Sequence, residues 1–390
     1  MRRGEPLGDI ASALAGCGDL SLPAGAARWH VLFAGRQRPL LVPVSDYRMQ
    51  KQWLPFFVRG RVRTVYARAV LKFHALMPCV NLVPELQLPD GRGADLQKHV
   101  PLASRAAIQI GTTGPYQKAS ILLISERGSS LALAKIALAP SADEQVRAEA
   151  GWLRALEGRP ELTGQVPRLL AEGDTTDGRR YLVTSLAPGT GACTAFTAAH
   201  RNFLELLARA RTETLKFCAS PCFEFLDQAR AEVASSLTRG EAVELDSALA
   251  DCRRALSGYA GPFVLSQGDF APWNIRLHAQ GIFVFDWEYA RFGANPLADV
   301  LHYHLIQRAA AGRSMGRWFL ASVLSRAREF ALQVHGGRNW REHEISALAL
   351  AHLLDVLLRY CQASGSVDFS DQVMAGYWSL MVRRSTWMAA

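Results

Sequence analysis

The apolar positions change period along the chain, and the changes divide it into regions at 1–100, 101–186 and 187–390. In the first region the runs WHVLFA and PLLVPV flank the turn Gly35-Arg36-Gln37-Arg38 and predict two short strands. From Met49 to Met77, Trp53, Phe56, Phe57, Val62, Val65, Val70 and Leu71 are interleaved with Arg59, Arg61, Arg63, Arg68 and Lys72. That interleaving predicts an amphipathic helix with cations on its outer face. The stretch Pro89-Asp90-Gly91-Arg92-Gly93 marks a boundary loop.

The second region reads as strands. Ala106–Ile110, Ala119–Ser125 and Leu131–Leu138 are apolar runs separated by glycine- or serine-bearing turns. Ser141 then stands as an N-cap with Glu144 completing a capping box, and Val146, Ala150, Leu153 and Leu156 continue at helical spacing. Two more strands are expected at Arg168–Glu172 and Tyr181–Ser185. Five strands with a helix after the third make a compact antiparallel α+β unit. The third region is mainly helical, with periodic segments near 195–217, 223–237, 241–257, 297–311, 316–335, 341–362 and 371–385. Short strands at Phe263–Leu265 and Ile282–Phe285 interrupt it, with a polar loop between them.

Composition narrows the class of protein. With 390 residues, 49% hydrophobic and 20% charged, the chain is globular and long enough for more than one core. No apolar stretch approaches the roughly 20 residues of a membrane span, and Gly4-Glu5-Pro6 after Met1-Arg2-Arg3 leaves no apolar core for a signal peptide. The cysteines at 17, 79, 193, 218, 222, 252 and 361 lack zinc-site spacing and are expected as reduced thiols, so a cytoplasmic placement is expected. Of the net charge of +9, residues 1–100 carry +7, from 14 Lys or Arg against 7 Asp or Glu. This favours anionic partners: nucleotides, or a membrane surface met peripherally by the basic helix at 49–77. No nucleic-acid partner is expected.

The polar interruption carries the chemistry. It reads SQGDFAPWNIRLHAQGIFVFDWEYARFGANPLADVLHY, with Asp269, then Asn274 five residues on, then Asp286 after an apolar strand. Phosphoryl transfer to a hydroxyl needs a carboxylate to take the acceptor's proton. It also needs an amide oxygen and a second carboxylate to hold the magnesium that bridges the phosphates. One loop–strand–loop hairpin would fix all three against one another.

Gln267-Gly268-Asp269-Phe270-Ala271-Pro272-Trp273-Asn274, followed by Phe285-Asp286-Trp287-Glu288 and by Gly293, Pro296, Leu297 and Asp299, resembles the aminoglycoside phosphotransferase and choline kinase superfamily. The resemblance covers about residues 101–390. It implies a bilobal protein-kinase-like fold, with a small antiparallel-sheet N-lobe and a larger helical C-lobe, here preceded by an N-terminal α/β extension. It implies an ATP- and Mg2+-dependent enzyme with Asp269 as catalytic base, Asn274 and Asp286 as metal ligands, and Asp299 bracing the loop. The sequence departs from that pattern at Gln267, where the family usually has histidine; glutamine can donate and accept in the same way.

In the second region, Gly111-Thr112-Thr113-Gly114 forms a turn able to bring backbone N–H groups over phosphates. Lys135 interrupts the apolar strand LALAKIAL, and Glu149 follows on the next helix. A strand lysine paired with a helix glutamate is the kinase arrangement for gripping the α- and β-phosphates. By position, Thr184, Ser185 and Leu186 resemble the hinge whose main chain meets adenine.

The acceptor is expected to be a small-molecule hydroxyl. Residues 301–390 hold 10 Arg against 6 Asp or Glu, which favours a neutral or anionic sugar, polyol or saccharide-linked compound over an aminoglycoside. An aminoglycoside phosphotransferase and a nucleotide-binding pseudokinase scaffold are the alternatives.

Overall fold

The computed structural model describes residues 28–33, 38–44, 47–57, 61–76, 85–87, 94–175, 178–188, 194–336 and 338–388. The expected turn at 35–37 and boundary loop at 89–93 lie outside them. The chain divides into two compact units, Met1–Gly191 and Ala192–Ala390.

The first unit is built on one eight-stranded antiparallel sheet. Its strands are β1 (Arg28–Leu32), β2 (Leu40–Pro43), β3 (Glu85–Gln87), β4 (Ala103–Ile110), β5 (Lys118–Ser125), β6 (Ser130–Ala137), β7 (Leu169–Asp174) and β8 (Arg180–Ser185), in the order β3-β1-β2-β4-β5-β6-β8-β7. The strands of residues 1–100 thus continue the sheet of β4–β8, with Leu40 opposite Gln109 and Leu41 opposite Ile108. Helices α1 (Tyr47–Phe57), α2 (Arg61–Leu76), α3 (Ala94–His99) and α4 (Pro140–Glu157) accompany it. The single helix expected over 49–77 is described as α1 and α2, with 58–60 outside the described residues.

Strand alternation explains why the middle of the sheet reads as unbroken apolar sequence. Ala106, Ile108, Ile121 and Leu123 enter one core, with Trp29 and Val31. Ala107, Leu122 and Ile124 enter the opposite core, where Trp53, Leu54 and Phe57 of α1 and Ala67 and Leu71 of α2 cover them. A sheet buried on both faces has no polar face to alternate with. The start of α4 differs from expectation. Its N-cap is Ala139 with no side-chain cap, and Pro140 opens the helix. Proline's fixed φ and missing N–H suit the first helical position, which places Ser141 inside the helix.

The second unit packs α5 (Ala198–Ala210), α6 (Pro221–Glu232), α7 (Arg239–Ala255), α8 (Ala298–Ala310), α9 (Arg317–Val334), α10 (Glu342–Ser364) and α11 (Gln372–Val382). Its strands are β9 (Thr212–Lys216), β10 (Ala260–Ser266), β11 (Ile275–His278), β12 (Gly281–Val284) and β13 (Arg291–Ala294). They form a three-stranded sheet, β13-β10-β9, and the hairpin β11–β12. The helix expected over 195–217 stops at Ala210, because Thr212–Lys216 pairs with β10 from Thr212–Val264 to Lys216–Ala260. Helix α10 is apolar nearly all round and buried from Glu344 to Leu358, so it is the core element of this unit. No helix among the described residues is long and apolar enough to cross a membrane. Cys218, Cys222, Cys252 and Cys361 are free thiols.

Candidate active site

Strand β10 ends at Ser266, and the chain turns through Gln267–Asn274 into the β11–β12 hairpin. The hairpin closes on itself where Ile275 faces Val284 and Phe285 N–H donates to Asn274 O at 3.0 Å. That register sets Asn274 beside the residue preceding Asp286. A local strand pairing therefore joins two positions that are twelve residues apart.

The loop is held from below by Asp299, in the first turn of α8. Its carboxylate accepts from Ser266 Oγ at 2.8 Å, Gln267 N–H at 2.9 Å and Gly268 N–H at 3.0 Å. Burial pushes the Asp299 carboxyl up, and these hydrogen bonds oppose that shift. Gly268 has φ +82°, and a Cβ there would lie 2.1 Å from Tyr289 O, so only glycine fits. Its carbonyl accepts from Arg359 Nη1 at 3.0 Å. Arg359 is anchored by Asp355, which also takes Arg291 at 2.6 Å. Burial raises the Asp355 carboxyl, but the two guanidiniums outweigh it and hold it below the ordinary carboxylate range.

Gln267 ties the loop to the far strand. Its Nε2 donates to Phe285 O and Asp286 O, and its Oε1 accepts from Asp269 N–H at 2.9 Å. The side chain is fully buried and spans the backbones of two of the sequence-predicted site residues. Asp286 sits at φ +70°, a left-handed conformation that an aspartate tolerates at a cost of order 1 kcal/mol or more. The Asp269 carboxylate is gripped at both oxygens. Asn274 Nδ2 donates to Oδ2 at 2.7 Å, and His302 Nε2 meets Oδ1 at 2.8 Å.

Asn274 spends its amide nitrogen on Asp269, which leaves Oδ1 buried with no hydrogen-bond partner. An orphaned amide oxygen close in the backbone to a carboxylate is the hard-oxygen donor set that magnesium takes. Asp269, Asn274 and Asp286 are thus brought together in the second unit.

In the first unit, Lys135 Nζ lies 2.8 and 2.6 Å from the two oxygens of Glu149, with side chains 11% and 2% exposed. Lys135 comes from β6 and Glu149 from the buried face of α4. Gly111 closes the β4–β5 turn, donating to Lys118 O at 2.7 Å; a Cβ there would lie 2.8 Å from the same oxygen. Thr112, Thr113 and Gly114 are exposed at the tip.

A family model described as the phosphotransferase enzyme family matches residues 120–345, more than half of the chain. The chain belongs to that family. This phosphotransferase has the bilobal α+β fold of the solved aminoglycoside phosphotransferases. The matched span includes Lys135, Glu149 and the whole Gln267–Asp299 segment. Among solved structures, aminoglycoside phosphotransferase APH(4)-Ia is 14% identical with a TM-score of 0.51, covering 74% of this chain and 96% of its own. A thermostable mutant of that protein in its apo form is 16% identical with a TM-score of 0.50, covering 74% and 98%. These likenesses show the fold. Curated proteins give no match.

Two residues near the expected site, Arg38 and His302, were not singled out as site elements in the sequence. Arg38, from the N-terminal extension, donates from Nε to Thr112 Oγ1 at 3.2 Å and so reaches the β4–β5 turn. Thr184 and Ser185 lie inside the ladder, opposite Leu133 and Ala132, and Ser185 N–H donates to Arg168 O. Of the three hinge residues, only Leu186 lies beyond β8. His302, on α8, holds the Asp269 carboxylate through Nε2.

Proposed function

We propose that this phosphotransferase moves the γ-phosphoryl group of ATP to a hydroxyl of a neutral or anionic sugar, polyol or saccharide-linked small molecule, with Asp269 as base. The supporting observation is the Asp269 carboxylate, oriented through both oxygens by Asn274 and His302 and next to an amide oxygen left for a metal. The acceptor hydroxyl gives its proton to Asp269 as its oxygen bonds to the γ-phosphorus. The bond from that phosphorus to the bridging oxygen of ADP breaks, and ADP leaves. Asn274 Oδ1 and Asp286 would hold magnesium, which when bound offsets the charge of the phosphates. Lys135, aligned by Glu149, would hold the α- and β-phosphates, and the Gly111–Gly114 turn would cover the phosphates. Main chain at Leu186 and just before it would meet adenine.

Charge supports the choice of acceptor. All six acidic side chains of residues 301–390 are already engaged. Glu329 accepts from Gln333, Glu342 from Arg328, and Glu344 from Arg338. Asp355 takes two arginines, Asp368 accepts from Ser370, and Asp371 caps α11. Arginines thus neutralise three of the six, Glu342, Glu344 and Asp355, which leaves the stretch a weak partner for a polycation.

The test is ADP release from magnesium-ATP with a panel of sugars, polyols, amino alcohols and aminoglycosides, with Asp269→Asn run alongside. Release with a sugar or polyol, absent in the variant, supports the proposal. Release only with aminoglycosides overturns the acceptor, and equal release by Asp269→Asn overturns the base.

A second property concerns the N-terminal extension. Val65, Tyr66, Ala69, Phe73 and Leu76 of α2 are exposed and fall within about 100° of the helix circumference. Ala67 and Leu71 face the core, and Arg68 and Lys72 are exposed beside the stripe. Residues 47–76 contain seven Lys or Arg and no Asp or Glu. An apolar stripe edged by cations suits an anionic bilayer surface. The protein should co-sediment with phosphatidylserine-containing vesicles, and Tyr66→Ser/Phe73→Ser/Leu76→Ser should release it. No binding of the intact protein would remove this surface from the proposal.

A further inference from the structure

We infer that His302 is a positioning residue for phosphoryl transfer, fixing the carboxylate of Asp269 through its Nε2–H. The inference rests on Asp269 as the base. Two facing residues of α8, three apart, serve the same loop: Asp299 takes its backbone N–H groups, and His302 takes the carboxylate it carries. Residues three apart on a helix share a face, so one helix sets both the loop and its side chain.

The geometry determines which nitrogen carries the hydrogen. An ionised carboxylate only accepts, so the 2.8 Å contact to Oδ1 places the hydrogen on Nε2. His302 Nδ1 is buried and hydrogen-bonds to no group among the described residues. It faces no acceptor that would draw the hydrogen away from Nε2. The ring beside it at 5.5 Å belongs to His352, whose nitrogens are also buried without hydrogen-bond partners and which burial holds well below the ordinary histidine range. Tyr377 packs on His352 from α11. His302 is thus wedged by rings behind and has one polar outlet, Asp269.

The consequence is orientational. Asp269 is about one quarter exposed, so its carboxylate would otherwise be free to rotate about Asn274. With Oδ2 on Asn274 and Oδ1 on His302, a single rotamer remains. The reacting group is held before the acceptor arrives, which is where most of a phosphotransferase's rate comes from. Because His302 touches neither nucleotide-holding residue of the loop, Asn274 or Asp286, among its hydrogen bonds, its loss should leave nucleotide binding intact.

The experiment uses the full chain, magnesium-ATP and water as the acceptor, so that it needs no knowledge of the natural one. His302→Met keeps the bulk and loses the donor; His302→Gln restores an N–H at the same reach. His302→Met should lower kcat about 10- to 100-fold, with KM for ATP and ADP affinity unchanged, and His302→Gln should recover most of the loss. A kcat unchanged in His302→Met overturns the inference, as does equal damage in both variants. A second measurement is independent of turnover and of the folding of His302→Met. Imidazole 15N resonances of the 15N-histidine-labelled wild type should show His302 as the Nε2–H tautomer, with the bonded proton lost in Asp269→Ala. An Nδ1–H tautomer overturns the inference. A wild type that turns over no ATP, yet shows the Nε2–H signature, would place the failure in the proposed function and leave the His302–Asp269 coupling standing.

Discussion

Replacing Lys135 by methionine separates stability from nucleotide binding. In the folded protein Glu149 is 2% exposed and both its oxygens sit on Lys135 Nζ. Removing the cation leaves a buried carboxylate without that partner, and breaking a buried pair on one side costs about 3–5 kcal/mol. For a unit of this size each kcal/mol lowers the melting temperature by about 2–4 °C, so Lys135→Met should melt roughly 6–20 °C lower. Replacing both partners by apolar groups of similar volume is commonly neutral, so Lys135→Met/Glu149→Leu should regain most of the loss. ATP affinity should fall in the single variant and stay low in the double, because the phosphate-holding cation is absent from both. Calorimetric melting and ATP titration of the three proteins read the two effects separately. A double variant as unstable as the single would show that the ion pair is not what Lys135 contributes to the fold. A double variant that binds ATP like the wild type would remove Lys135 from the nucleotide site.

Asp269→Asn should abolish acceptor-dependent ADP release while ADP binding, followed by titration, stays at the wild-type level. Asp286→Ala should weaken magnesium-ATP binding itself, shifting the magnesium dependence of nucleotide affinity to higher concentration. Gln267→Ala removes three hydrogen bonds between the loop and the Asp286 strand and should lower kcat by about 10- to 100-fold; Gln267→His, with two ring nitrogens, should fall between. Burial depresses His200, His304 and His335 to about 4, whereas an unfolded chain protonates histidine near 6.5. Each contributes stability that is complete above about 6.5 and is lost as pH falls from there toward 4. The melting temperature of the second unit should therefore decline below pH 6.5, and a flat profile from 7.5 to 5 would contradict it.

The grouping of the candidate site residues was legible in the sequence wherever it depends on short spacing. Asp269 and Asn274 lie five residues apart on one loop, and a four-residue strand returns the chain to Asp286, so the motif is visible without the fold. The Lys135–Glu149 pair was visible because one helix directly follows one strand. What stayed hidden depends on partners distant in sequence. Thr212–Lys216 continues an apolar helical pattern, and only β10, 44 to 52 residues on, makes it a strand. His302 is 33 residues from Asp269, and nothing in the periodicity of α8 distinguishes a histidine that packs from one that donates to a base. Ser141 failed as a cap because a proline beside it offered a better start.

Gln267, the one departure from the family's usual loop, would suggest decay if the loop's shape depended on that position alone. It does not. Asp299 takes the backbone N–H groups of Gln267 and Gly268, Arg359 takes the Gly268 carbonyl, and Asn274 Nδ2 also donates to the Asp269 carbonyl at 3.0 Å. Gln267 itself makes a donor contact to each of two carbonyls and accepts from Asp269 N–H. A histidine could not supply all three from two ring nitrogens. The glutamine therefore joins the loop to the Asp286 strand through more contacts than the residue it replaces could make. A buried amide with both ends satisfied also costs nothing in unpaired polar groups. The left-handed backbone at Asp286 is strain that persists only where its surroundings over-determine it, and the Gln267 bridge to the Asp286 carbonyl is one of the contacts that does so.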